Sequence, residues 1–252
     1  MRVAVAATNL VLGVAYTSYG IMTAIELKRG WRVYGFSHFG AAWIAMAFTC
    51  GPHHLAHGIH AALGDRMGGG LDLFAVVVGL PVGVIWLLLR IEAFAGGEGD
   101  RFISGTPMWL KAMPTVGGIY LTALGAGVVW KLSQGVSFDT AVIPNFLLLF
   151  IYSTIGYYLL RTQLRNHKEI DGWSVSGLSL AAVFPTCGIM HVIWAMYVST
   201  GLYGADRQGF VIDWLAVPAG LYFLWVVWAL YRNMLRDWNS EGSERATYAV
   251  AS

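Results

Sequence analysis

Thr49-Cys50-Gly51-Pro52-His53-His54 recurs as Thr186-Cys187-Gly188-Ile189-Met190-His191. An offset of 137 positions brings Thr, Cys, Gly and the second His of each stretch into register. The same offset lays Gly35-Phe36-Ser37 on Gly172-Trp173-Ser174, and Pro81-Val82-Gly83 on Pro218-Ala219-Gly220. An offset of 136 lays Asn9 on Asn145, Leu12 on Leu148, and Tyr16-Thr17-Ser18-Tyr19-Gly20 on Tyr152-Ser153-Thr154-Ile155-Gly156. One residue inserted between the first two helices of the second copy accounts for the change of offset. The chain has 2 cysteines, and they are a repeat pair. A duplication that keeps Cys and His at matching depth points to a site on a pseudo-two-fold axis.

Composition names the solvent. Hydrophobic residues make up 57% and charged residues 12%, too little charge for a soluble domain of 252 residues. Apolar stretches at about 3–25, 36–63, 71–91, 109–130, 141–160, 174–200 and 211–233 each approach the ~20 residues that a bilayer demands. The expected fold is all-α: one domain over 1–236, a bundle of seven membrane-crossing helices whose backbone groups bond internally. Repeat one covers about 3–91, a linker helix about 109–130 and repeat two about 141–233. A polar cytoplasmic tail, 237–252, follows. The first segment has the look of a secretory leader, but its match to the fifth segment argues for a retained helix.

Orientation follows from the cations. Alternate connections hold Lys28, Arg29, Arg32, Arg90, Arg101, Lys111, Arg161, Arg165, Lys168, Arg232, Arg236 and Arg245, and the opposite ends hold only Arg2, Arg66, Lys131 and Arg207. Seven spans alternate in step with this split. The N-terminus is therefore expected outside and the C-terminus in the cytoplasm, in the plasma (inner) membrane. Gly96 to Gly105 reads as a glycine-rich cytoplasmic loop without a phosphate-binding pattern. The net charge of +2 offers nothing to nucleic acid; the lipid bilayer is the expected partner.

Three helices, a linker and three more, with both triplets running the same way, require an axis along the membrane normal. This layout resembles that of the SWEET and PQ-loop transporters and, more loosely, the microbial rhodopsins. The resemblance is one of architecture over the whole chain: the first and fifth helices lack a Pro-Gln dipeptide, and the seventh lacks a Lys.

His54 and His191 each fall about nine residues before the outer end of a helix, so both sit ~13 Å below the outer boundary. Cys50 and Cys187 each lie four residues earlier, on the same helical face. Together they make a Cys2His2 set suited to Zn or Cu. His57 extends the stripe, and His53 and His60 are further candidates. Asp72 and Asp213, at the starts of the third and seventh helices, and Asn9 and Asn145, on the first and fifth, are candidate ligands or outer acceptors. His38 and His167 fall on the cytoplasmic side, as solvated residues.

Small residues such as Cys and Gly also serve simple helix packing, and the paired Asn and Tyr residues serve as glue between repeats. Four histidines within residues 53–60 resist that reading, because polar groups in hydrocarbon are costly. Three function classes remain. The first is a protein binding a transition metal (Zn or Cu) or haem b for redox and electron-transfer work with a membrane partner, with Gly51, Gly58 and Gly188 leaving room for a flat ring. The second is a transporter or channel for a metal ion or small solute. The third is a metal-dependent intramembrane hydrolase, with Asp72 or Asp213 as base.

Overall fold

The computed structural model of the protein describes residues 1–64, 69–137, 139–201, 207–235 and 237. Among the described residues there are seven helices: α1 (Arg2–Tyr34), α2 (His38–Leu63), α3 (Gly70–Phe94), α4 (Met108–Leu132), α5 (Val142–Ile170), α6 (Val175–Ser199) and α7 (Arg207–Tyr231). Among the described residues, all but α2 are long and apolar enough to cross a membrane. Length is not what α2 lacks; His53, His54, His57 and His60 dilute its apolar character. Large apolar side chains such as Phe150, Ile119, Trp130 and Leu121 are exposed around the bundle, a surface suited to lipid and not to water.

The stretches matched at the 137-residue offset start two helices in the same way. The hydroxyl of Ser37 accepts from the Gly40 N–H at 2.9 Å to cap α2, and that of Ser174 accepts from the Gly177 N–H at 2.9 Å to cap α6. α1 and α5 run well past their apolar stretches, to residues 34 and 170. Hydropathy measures the part of a helix that needs lipid, and the charged turns beyond it continue the same hydrogen-bond ladder. On one such turn Glu26 pairs with Arg90 of α3, and Arg29 lies over the Phe94 ring.

Packing pairs α1 with α2 and α3, and α5 with α6 and α7. The remaining major contacts cross between these groups, α2 against α7 and α3 against α6. α4 only brushes α3 and α6, and Leu124 is its one buried residue among those described. Close approach relies on glycine. A Cβ on Gly51 would stand 2.4 Å from Thr17 Oγ1, and one on Gly156 would stand 2.4 Å from Pro185 Cγ. Gly58 likewise receives Leu10 and Ala6 of α1, and Gly188 receives Leu149 and Tyr152 of α5. These glycines seat neighbouring helices, and the space expected for a flat ring is filled.

At one end of the bundle, two short strands that the hydropathy pattern does not betray staple the connections together. β1 (Phe102–Ser104) pairs antiparallel with β2 (Gly172–Ser174), Phe102 opposite Ser174. Asp100 receives the Ser174 hydroxyl at 2.6 Å and the Ser176 N–H at 2.8 Å. The glycine-rich stretch before α4 is thus anchored to the start of α6. His167 and His38 are more than solvated surface residues here: His167 stacks on Trp173 with centroids 4.2 Å apart, and His38 Nδ1 lies 3.0 Å from the Tyr222 hydroxyl. Of the tail, Asp237 accepts from the Phe39 N–H at 2.7 Å; residues 238–252 lie outside the described residues, as do Arg66, Arg236 and Arg245 of the cationic pattern.

Above that end, an aromatic layer fills the middle of the bundle. Trp43, Trp86 and Tyr19 meet with centroids 3.7–4.8 Å apart, and Phe184 packs on Phe223 at 5.0 Å. The polar residues of α2 and α6 begin one to two turns further along.

Candidate functional site

α2 carries Cys50, His53, His54 and His57, and faces α6, which carries Cys187, Met190, His191 and Trp194. α1 and α5 supply one Asn and one Tyr each, and α7 supplies Asp213. His53, His54, His57, His191, Asn9, Asn145 and Asp213 are all buried. Buried polar groups need partners, and these groups are arranged in two layers.

The outer layer holds the imidazoles. His54 Nδ1 lies 2.8 Å from Asn9 Oδ1, and His191 Nδ1 lies 2.6 Å from Asn145 Oδ1. The asparagines are oriented by their other end. Asn9 Nδ2 donates to the Val5 carbonyl at 3.0 Å; Asn145 Nδ2 donates to the Ala141 carbonyl at 2.9 Å and to Asp213 Oδ2 at 2.8 Å. Each amide oxygen therefore faces its imidazole, so His54 and His191 both donate from Nδ1 and keep the lone pair on Nε2. That is the tautomer a metal-ligating histidine presents when an outer acceptor holds its other nitrogen.

Asp213 is the hub of this layer. Its Oδ1 stands 3.0 Å from His53 Nδ1 and 3.7 Å from His191 Nδ1. One nitrogen of His53, one of His191 and a carboxylate oxygen of Asp213 lie within 4.8 Å of one another. His57 stacks beside His53, centroids 5.7 Å apart, and against Trp194 at 5.0 Å. His60 is half-buried further out. Asp72, at the start of α3, accepts from the Gly69 N–H at 3.2 Å.

The inner layer holds the thiols, each paired with a tyrosine from the other half of the chain. Cys50 Sγ lies 3.4 Å from the Tyr152 hydroxyl, and Cys187 Sγ lies 3.8 Å from that of Tyr16. Both thiols line one cavity of about 10 Å³ together with Trp43 and Phe184. The same tyrosine rings meet the imidazoles above edge-on, Tyr16 with His54 at 5.4 Å and Tyr152 with His191 at 5.5 Å.

Of the residues named from the sequence, the structure gathers His53, His191 and Asp213 most tightly. His54 is turned to Asn9, and the two thiols occupy the layer below. Tyr16 and Tyr152, read from the sequence as inter-repeat glue, are the thiols' partners. Repetition signalled these symmetric pairs, and departures from repetition signal the rest. Under the 137-residue offset His53 corresponds to Met190 and Asp213 to Val76. The acid–imidazole pair on one side is thus an apolar pair on the other. Met190 and Val76 both line a second cavity of about 10 Å³, bordered also by His54 and Cys187.

No protein-family model, curated protein or solved structure matches the chain.

Proposed function

We propose that this is an integral membrane metal-binding protein whose central site, His53, His191 and Asp213, holds a divalent transition ion of the Zn or Cu(II) kind. The observation that carries the proposal is the convergence of three buried donors from α2, α6 and α7 within 4.8 Å. Around a tetrahedral ion with ligands at 2.0–2.2 Å, donor atoms stand about 3.4 Å apart. The widest pair here closes by at most about 1.4 Å to reach that spacing, a side-chain adjustment. Two imidazoles and one carboxylate suit Zn or Cu(II) and leave a fourth position open. A single cluster of this kind fits one ion better than the opposed axial pair that haem requires. Asp213, bonded to both His53 and Asn145, is committed to holding the site and is poorly placed to be a hydrolytic base.

The chain is read as seven spans in a three-plus-one-plus-three parallel repeat, N-terminus outside, in the plasma membrane. Support comes from the matched Asn–His, Tyr–Cys and serine-cap pairs, and from helix contacts that exchange α2·α7 with α3·α6. Passage of a metal ion or small solute is the second reading. It is favoured by the arrangement of a polar layer towards one end, closed below by the aromatic layer of Trp43, Trp86 and Phe184.

Elemental analysis of the detergent-purified protein tests the metal reading. About one Zn or Cu per chain is expected, with most of it lost in His191→Ala and in Asp213→Asn. Full metal content in both variants would reduce the cluster to a structural hydrogen-bond network.

A further inference from the structure

We propose that the cavity bordered by His54, Cys187 and Met190 is a second metal site, selective for Cu(I). It lies across the pseudo-two-fold axis from His53 and Asp213 and does not depend on metal binding there.

Three residues that can supply an imidazole, a thiol and a thioether, His54, Cys187 and Met190, are among those lining this one cavity of about 10 Å³. All three residues are buried, His54 at 3% exposure and Cys187 and Met190 at 5% each. His54 is prepared for the role, since Asn9 holds its Nδ1 proton and leaves the Nε2 lone pair available. Cys187 is free, with Sγ in contact with the Tyr16 hydroxyl. Thiolate and thioether sulfur select Cu(I) over the harder divalent ions.

Charge makes the same selection. Binding exchanges the Cys187 proton for the ion: Cys187–SH and Cu(I) give a Cu–S bond and a proton released to the medium. One cuprous ion, one thiolate, one neutral imidazole and one thioether sum to zero. A divalent ion in the same place would leave a net positive charge among Leu12, Val76 and Ala75, where an uncompensated charge is costly. The asymmetry between the repeats then has a chemical sense. Met190 stands where the first repeat has His53, and Val76 where the second has Asp213, so duplication followed by divergence yields one N,O site and one N,S,S site.

The test is a titration of the full-length protein, in detergent with a thiol-free reductant, with cuprous ion against a coloured Cu(I) chelator. One Cu(I) per chain is expected, with one proton released per ion and sulfur scatterers in its X-ray absorption spectrum. Loss of a direct ligand costs at least what loss of an outer partner costs, so Met190→Leu and Cys187→Ser should each weaken binding about tenfold or more. Met190→Leu conserves volume and folding, so it keeps the test decisive where Cys187→Ser is unstable. Cys50→Ser and Asp213→Asn should leave Cu(I) affinity in place, while Asp213→Asn empties the N,O site. Cu(I) binding untouched by Met190→Leu but abolished by Cys50→Ser would put the ion between the two thiols and overturn the proposal. Loss of Cu(I) in Asp213→Asn would overturn it by showing one shared site, and failure to bind Cu(I) at all would overturn it outright. Each of these outcomes is separable from zinc loss at His53, His191 and Asp213.

Discussion

Replacing Asp213 with Val, the residue at the equivalent place in the first repeat, isolates the hub of the outer layer. In metal-free protein the change strips an acceptor from His53 Nδ1, now 3.0 Å away, and from Asn145 Nδ2, now 2.8 Å away. Asp213 is 1% exposed and His53 7%, so water does not replace it. Each orphaned donor costs about 1–3 kcal/mol, which puts Asp213→Val at about 2–6 kcal/mol. His53→Met, copied from position 190, leaves a buried carboxylate short of one donor, at about 1–3 kcal/mol. The double variant copies Met190 and Val76, which line one cavity on the other side; replacing both partners by apolar groups removes the His53 penalty and leaves the Asn145 amide as the orphaned donor, at about 1–3 kcal/mol. The two changes should therefore couple by about 2 kcal/mol or more. Neutral hydrogen bonds between membrane helices couple by only about 0.6 kcal/mol on average; the excess reflects a charge-assisted bond. Reversible unfolding in detergent with a chelator present, for wild type, both single variants and the double, measures it. A double variant that loses the sum of the two single effects would refute the reasoning, because His53 and Asp213 would then not be satisfying each other.

Gly51→Ala should cost about 1–3 kcal/mol, because its Cβ would meet the Thr17 backbone N at 3.0 Å as well as the hydroxyl. Gly118→Ala, with nothing within 4 Å, should instead stabilise by about 0.5–1 kcal/mol; thermal unfolding of the two variants decides. Burial alone would raise the Asp100 carboxyl, but bonds from the Ser174 hydroxyl and the Ser176 and Arg101 N–H groups hold it below its ordinary value. A depressed carboxyl stabilises above its unfolded value, near pH 4, and the contribution fades as pH falls below that; acid should therefore free the β1–β2 staple in wild type, and Asp100→Asn should flatten this pH dependence of protection in amide exchange. With the N-terminus outside, a cysteine at Glu98 should resist an impermeant thiol reagent in intact cells and one at Ser133 should react. Both positions are exposed, so the reverse pattern would invert the topology.

Hydropathy placed the helices because lipid demands a fixed length of apolar chain, and α2 illustrates the limit of that signal. Its histidines are tolerated because α1, α6 and α7 supply Asn9, His191 and Asp213, partners that no local window contains. The β1–β2 staple escaped for a related reason: two three-residue strands, 70 positions apart in register, carry no periodicity of their own. The repeat identified equivalent residues, but equivalence is not contact. Cys50 and Cys187 line one cavity, yet each thiol takes its hydroxyl partner from the other half of the chain, Tyr152 of α5 and Tyr16 of α1, because α2·α7 and α3·α6 interlock the two halves. The pairs that stayed alike, Asn–His and Tyr–Cys, are those that satisfy buried polar groups and fix imidazole tautomers in both halves. The positions that diverged, His53 against Met190 and Asp213 against Val76, change donor hardness and charge on one side only. On the proposed duplication and metal sites, chemical selectivity resides in the positions that differ, since the shared ones offer the same ligands to either side.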